Sequence, residues 1–465
     1  MEHEHCRRHI KGNTGNARMR RAIMVILDGL RRDFITEATT PRLMAFMRRA
    51  EYFPAFRSAF PSATRIVSAT FATGCFPARH TLQGNAVALL EDGVLVPHDV
   101  GRPDFLLHKK AVTGQSLAVP TLAERLAPHG GAIVFNNVSP GAARAHDPDG
   151  FGHVYHRAFS VGPGLRPVDD PLRVNLDAAG DRAMTDRFIT EVIRQRRPAP
   201  GVLWCGEPDH IQHNVPLGSP EHLTVPREAD RHAGMVMDAV TRERDNGDDI
   251  LLIVASDHGH ETVSGVIDVE EDLIAAGLKH GPDSSDVVAM ANGTATLVYL
   301  HPEAASRRAA LDAHLRAAVW AGSVFSADTL GSVGHAPDHG LAFAVSMRTD
   351  DGLNAFGVPG RSLMAKPRWA RPDRLGCGQH GGLGVFEQSP VLMIDSPDFK
   401  AGERRAGVVR IVDLAPTISR HLRVPAEGMD GVALQVGGAH GRPMMSTGFS
   451  LVSPPLSHGK SGSSP

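Results

Sequence analysis

Five short apolar runs punctuate the chain: "AIMVIL" (22–27), "AIVF" (132–135), "GVLW" (201–204), "ILLIVAS" (250–256) and "VLMI" (391–394). Each is too short for a helix and is apolar at consecutive positions. That is the pattern of a strand buried on both faces of a parallel sheet. Between the runs, apolar positions fall at helical spacing. "TPRLMAFMRRA" offers Thr40 as a cap, Pro41 at the first helical position, and Leu43, Phe46 and Met47 on one face. "TLAERL" carries a Thr-x-x-Glu capping box at Thr121 and Glu124, and "DRHAGMVMDAVTRER" is a longer amphipathic stretch. Leu414, Ile418 and Leu422 recur one helical turn apart. Alternating strands and helices predict an α/β fold with a mostly parallel central sheet, helices on both faces, and chemistry at the carboxyl ends of the strands.

The pattern changes from 265 to 376, where strand "ATLVYL", helix "ASRRAALDAHLRAAV" and strand "LAFAVSM" predict a small α+β insertion of cap-like use. The expected organisation is a core at 21–264 and 377–445, the insertion at 265–376, a flexible basic N-terminus at 1–20 and a disordered Ser/Pro/Gly-rich tail at 446–465.

Composition removes some functions. A formal charge of -2 and a pI near 7.0 give no bulk reason for nucleic-acid or membrane binding. At 5% aromatic residues no stacking platform for bases is offered. No run approaches the ~18–20 apolar residues of a membrane helix, and no apolar segment of a signal peptide follows the basic start. The four cysteines, Cys6, Cys75, Cys205 and Cys377, lie far apart without a CxxC, which argues against a thiolate zinc site and points to the cytoplasm.

Polar residues stand where the strand runs end. Asp28-Gly29 follows the first; Asp209 and His213, one helical turn apart in "EPDHIQH", follow the third; Asp257 and His258 in "SDHGH" follow the fourth. His380 sits among glycines in "GQHGG", which permit close backbone approach to an ion. Any one of these could be a solvated surface group, since the chain has 25 histidines. Four clusters in order, each beside a strand-like run, point to metal binding.

The order Asp28-Gly, Pro-x-x-Thr64 with Thr73-Gly74 nine residues on, "EPDHIQH", "SDHGH" and "GQHGG" resembles the alkaline phosphatase superfamily, most closely its nucleotide pyrophosphatase/phosphodiesterase family. The resemblance implies an alkaline phosphatase-like core and two zinc ions, with manganese an alternative in an oxygen-rich half-site. One ion would take Asp28, Thr64, Asp257 and His258, the other Asp209, His213 and His380. It also implies hydrolysis of a phosphodiester or pyrophosphate bond through a phospho-threonine on Thr64. The partner is then a small phosphate ester or phosphonate.

A competing motif overlaps this one. "CFPAR" (Cys75–Arg79) resembles the sulfatase signature, in which a modified cysteine attacks sulfate. Register separates the two, because the nucleophile in both families lies nine residues before a Thr-Gly pair. Thr64 meets that spacing and Cys75 follows the pair. No Pro or Gly intervenes between Thr64 and Gly74, so Thr64 is expected to open a helix, where free N–H groups and the positive end suit phosphate.

Other reactions remain open on the same metal chemistry: a phosphonoacetate-type C–P hydrolase, a phosphomonoesterase, a phosphosugar mutase, or a metal-binding protein without catalysis. Substrate-contact candidates are Arg65 beside the nucleophile, and Arg144 and His153 in the polar stretch after "AIVF". His335 and His339 are candidates within the insertion. One departure from the resemblance stands out: Val67 occupies the place, three residues after Thr64, where a phosphate-binding Asn is expected. Arg65 is the expected substitute donor.

Overall fold

A computed structural model describes residues 19–369 and 371–435. The expected N-terminal segment, apart from its last two residues, and the tail lie outside the described residues. The centre is an eight-stranded sheet in the order Glu51–Tyr52, Leu392–Asp395, Asp249–Ala255, Arg20–Leu27, Pro200–Cys205, Ile133–Asn136, His153–His156, Phe159–Val161. The five consecutive strands from Asp249–Ala255 to His153–His156 run parallel.

The alternating geometry of a strand explains why the apolar runs are continuous. Ile23, Val25 and Leu27 enter one core, with the helices Pro41–Arg49, Ala178–Phe188 and Pro220–Asp245. Ala22, Met24 and Ile26 enter the other, with the helices Thr64–Thr73, Pro140–Ala145 and Leu414–Leu422. The sheet is mixed at its edge. Leu392–Asp395 pairs antiparallel with Asp249–Ala255, against the expected parallel sense of "VLMI". Burial on both faces produces the same apolar run in either direction, so composition could not report it.

Local signals held unevenly. Thr121 accepts a hydrogen bond from the Glu124 N–H and caps Leu122–Arg125 as expected. Thr40 precedes helix Pro41–Arg49 without capping it. Its hydroxyl bonds back to Thr36, and Asp230 from the long helix accepts the Arg42 and Leu43 N–H groups instead.

Between the fourth central strand and His380 the chain builds two further four-stranded sheets. Val287–Ala291, Ala295–Leu300, Leu341–Met347 and Ala321–Phe325 form one, with helix Arg308–Ala317. The other joins Thr349–Leu353, Pro359–Ala365, Glu261–Ile267 and Gly378–Gln379. Two residue pairs, Glu261 with Gln379 and Thr262 with Gly378, tie the start of this excursion to its end. No helix among the described residues is long and apolar enough to cross a membrane.

Candidate metal centre and nucleophile

The carboxyl ends of three parallel strands deliver the acidic groups. Asp28 follows Arg20–Leu27, Asp257 follows Asp249–Ala255, and Asp209 opens the one-turn helix Asp209–Gln212 after Pro200–Cys205. Buried Asp181 sets the last of these loops by accepting from the Gly206 and Glu207 N–H groups. The two residues Asp257 and His258 are buried completely, as is Asp28.

Two groups of converging ligand atoms result. Asp28, Asp257 and His258 form the first. His258 Nε2 lies 3.1 Å from Asp257 Oδ2, 3.5 Å from Asp28 Oδ1 and 3.1 Å from Thr64 Oγ1. Asp209, His258, His260 and His380 form the second. His213 joins it, with Nε2 at 3.4 Å from Asp209 Oδ1, the same separation as His380 Nε2. The His258 and His380 rings stack at 3.6 Å and so bind the two groups into one centre.

The buried carboxylates favour a cation. Asp28 Oδ1 and Asp257 Oδ2 are buried and have no protein hydrogen-bond partner. Burial, then Asp257 and Asp209, push the Asp28 carboxyl well above the usual range. Burial likewise raises Asp257, against His258. For Asp209 burial is outweighed by His213, His260 and His380, which hold it well below. Burial lowers His213 and His380, against the pull of Asp209, towards the neutral form that ligates metal. Outer hydrogen bonds hold the ligands in place: Trp204 Nε1 donates to Asp28 Oδ2 at 2.7 Å, the Gly29 N–H to Asp257 Oδ1 at 3.0 Å. His213 and His380 point their Nδ1 atoms at the carbonyls of Gly378 and Ser62. Acidic oxygens, neutral imidazoles and orphaned buried lone pairs fit divalent metal ions.

Thr64 is the first residue of helix Thr64–Thr73, with Ala63 in the capping position. Its hydroxyl is therefore spared for the His258 contact. Cys75 lies beyond the other end of that helix, past Gly74 in the left-handed conformation, and is buried with Sγ on the Gly428 carbonyl. The helix between them, ten residues long, spans roughly 14 Å at about 1.5 Å per step. The "CFPAR" segment is thus remote from the Asp/His groups.

A cleft of about 270 Å3 opens beside Thr64, Asp209, His213 and His380. Arg65 lines it, with its guanidinium against Ser139 Oγ and the Asn85 carbonyl. Arg65 is therefore in the cleft wall rather than turned to solvent, and burial lowers it to about 10. Arg144 and His153 do not line the cleft. Arg144 lies over the Phe159 ring at 4.2 Å. His153 begins its strand, opposite Ile133, at the amino end of the sheet. The dense polar loop around them is organised by Asp147, which accepts the N–H groups of Gly150, Phe151 and Gly152. His335 binds the Phe60 carbonyl, and neither it nor His339 lines the cleft.

Two residues were not anticipated. His260 Nε2 lies 2.8 Å from Asp209 Oδ1, and a Cβ on Gly29, whose φ is +67°, would come within 2.7 Å of that nitrogen. Glycine at 29 is thus required by space as well as by backbone. The signal was the second histidine of "SDHGH". Asn85 is the other. Its Oδ1 accepts the Arg65 N–H at 2.9 Å, which assigns the amide oxygen, and the residue lines the cleft. Val67 belongs to the core beneath the sheet, so its position faces no ligand whatever residue stands there. An amide in the cleft comes from residue 85 instead.

Residues 22–354 match the family model described as Type I phosphodiesterase / nucleotide pyrophosphatase. Two solved structures of murine ectonucleotide pyrophosphatase / phosphodiesterase 5 are similar, at 16% identity and a TM-score of 0.63, over 89% of this chain and 97% of that one. One of them is the inactive Thr-to-Ala variant in complex with AMP. At that identity the likeness is one of fold. No curated protein matches the chain in sequence.

Proposed function

We propose, from the premise that this chain belongs to the Type I phosphodiesterase / nucleotide pyrophosphatase family and is a phosphoric ester hydrolase, that Thr64 is its nucleophile toward phosphodiester or pyrophosphate bonds. The observation that carries the reading is the Thr64 hydroxyl, 3.1 Å from His258 Nε2 and at the wall of the cleft. Asp28, Thr64, Asp257 and His258 would hold one zinc ion, and Asp209, His213 and His380 the other. When bound, such ions act as Lewis acids, lowering the pKa of a ligated hydroxyl and drawing charge from phosphoryl oxygens.

The residues do the rest. Thr64 Oγ1 gives up its proton and forms a bond to phosphorus as the bond to the leaving oxygen breaks; that oxygen departs with the electron pair and takes up a proton. Water then attacks the phospho-threonine, and the bond from phosphorus to Oγ1 breaks. The positive end of helix Thr64–Thr73 and the Asn85 amide suit the non-bridging oxygens. The similar murine protein is recorded with AMP, which supports a small phosphate ester as substrate. Residues 265–376 would then act as a cap that selects among such esters.

A second reading is favoured by Arg65 in the cleft wall: a phosphomonoesterase or a phosphonoacetate-type C–P hydrolase, whose substrates are more anionic. A panel of p-nitrophenyl phosphodiester, monoester and sulfate, with phosphonoacetate, tests both. Fastest turnover of the diester is expected. A flat diester response beside an active monoester or phosphonate replaces the first reading with the second, and inactivity on all four removes both.

A further inference from the structure

Beyond the reactive centre, the cleft has a strongly one-sided charge. Arg65, Arg368, Arg371 and Arg374 line it, and Asp209 is the single carboxylate among its described lining residues. Three of these arginines come from one short segment, of which 366–369 and 371–374 are described, between strand Pro359–Ala365 and Gly378–Gln379 just before His380. The segment also carries Trp369, 44% exposed and in the cleft wall.

The arginines are held but not neutralised. Asp99 bridges two of them: Oδ1 is 3.6 Å from Arg65 Nη1, and Oδ2 pairs with Arg371 Nη2. Arg368 pairs with Glu270 at 2.9 Å. Arg374 has neutral partners, the His213 carbonyl at 2.9 Å and Asn214 Oδ1 at 2.8 Å. Four guanidiniums therefore share two ion-paired carboxylates, Asp99 and Glu270, with Asp209 the one carboxylate in the lining. Each guanidinium offers five N–H donors in a planar fork, so these contacts position the groups and leave donors for a ligand. The transferred phosphoryl group needs no such surplus, because the helix end and the Asp/His centre already serve it.

We propose that Arg368, Arg371 and Arg374 form a subsite for a second anionic group of the substrate, a carboxylate or a further phosphate, apart from the phosphoryl group Thr64 attacks. The proposal rests on reading the cleft as a phosphoric ester hydrolase site. It assigns the 366–374 segment to specificity, and Asp99 to fixing Arg371 relative to the residue after the nucleophile. A plain diester with one charge would leave the subsite unused.

The chain has its own reporter. Of its three tryptophans, Trp204 and Trp320 are buried at 1% and 4% exposure, so a fluorescence change on anion binding comes mainly from Trp369. The metal-loaded full chain would be titrated with inorganic phosphate, inorganic pyrophosphate and phosphonoacetate, with Trp369→Phe as the signal control. Binding of at least one two-anion probe ~10-fold or more tighter than phosphate is expected for added charge-assisted contacts. Preference for pyrophosphate identifies a phosphate subsite, and preference for phosphonoacetate a carboxylate subsite. The gap should collapse in the Arg368→Ala/Arg371→Ala double variant and narrow in the wild type as salt rises. Should the double variant fail to fold, Arg371→Lys and the salt series decide alone. Equal affinity for all three probes, or a gap insensitive to both arginines and salt, overturns the proposal. A failed hydrolase reading would look different: no ester turned over, with anion selectivity intact.

Discussion

Thr64 Oγ1 and His258 Nε2 are 3.1 Å apart, although 194 residues separate them in sequence. The same nitrogen faces Asp257 and Asp28. One ring nitrogen can satisfy one hydrogen bond, not three. Converging oxygens around it make a ligand set rather than a hydrogen-bond network.

On the proposed mechanism Thr64→Ala should abolish turnover while metal content stays unchanged, since Asp28, Asp257 and His258 would still hold the ion assigned to that group. Metal analysis and diester hydrolysis on the same preparation check this. Full activity in the variant would end the threonine mechanism.

His260 is expected to position Asp209 rather than touch substrate. His260→Ala should weaken metal retention by ~10–100-fold, the usual effect of losing a group that orients a ligand. Competition with a chelator measures it, alongside the melting temperature of the metal-free protein. A purely structural role would lower that temperature and leave metal affinity alone.

Asn85→Ala should cost ~10-fold or more in kcat/KM, equivalent to about 1.4 kcal/mol of lost transition-state contact, with metal content unchanged. Its backbone is tied by Asn292 Oδ1, which accepts the Asn85 N–H at 2.6 Å, so the loop should survive the substitution. Unaltered kinetics would remove Asn85 from the site.

Substitutions away from the cleft provide the contrast. Cys75→Ala, Arg144→Ala and His153→Ala should keep kcat and KM within ~2-fold. Arg144→Ala should still lower stability, by about 1 kcal/mol for its lost ring contact. Loss of turnover in Cys75→Ala would reopen the sulfatase-like alternative.

Glu387 predicts a pH effect on stability. It is buried beside Glu261, and Ser362 Oγ lies within hydrogen-bonding reach of both carboxylates. Burial, then Glu261, push its carboxyl up to about 8. A carboxyl raised on folding stabilises the native state fully below its unfolded value of ~4.3 and loses that contribution as pH rises through the folded value. Between pH 5 and 8 the wild type should lose up to about 1.4 kcal/mol per pH unit from this group. Glu387→Gln should show a shallower fall in melting temperature over the same range. Parallel curves would refute the assignment.

The central strands were legible because burial on both faces leaves a composition that no other short element shares. Asp28, Asp209, Asp257 and His258 were legible for a related reason: each lies within four residues of the end of such a strand, whereas His380 was marked by its glycines. What escaped depended on tertiary approach. His260 meets Asp209 through a gap that only Gly29 leaves open. Asn85 returns to Thr64 because the chain reverses after helix Thr64–Thr73 and the short helix Pro77–His80. Arg144 and His153 looked functional because they are polar near a strand run. Yet His153 opens its strand, and proximity in sequence does not say which end of a sheet a residue occupies.

The order in which the ligands occur along the chain has a consequence for biosynthesis. Asp28, Thr64, Asp257 and His258 have all been translated by residue 258, whereas the second group waits for His380, about 120 residues later. Even the first group leans on later chain: Ser62, two residues before Thr64, donates to the Gly381 and Gly382 carbonyls, and the Ser256 N–H donates to the Val391 carbonyl. The second group cannot form until the two four-stranded sheets have returned the chain to Gly378. The centre as a whole is therefore complete only once the chain from Gly378 to Val391 has been made.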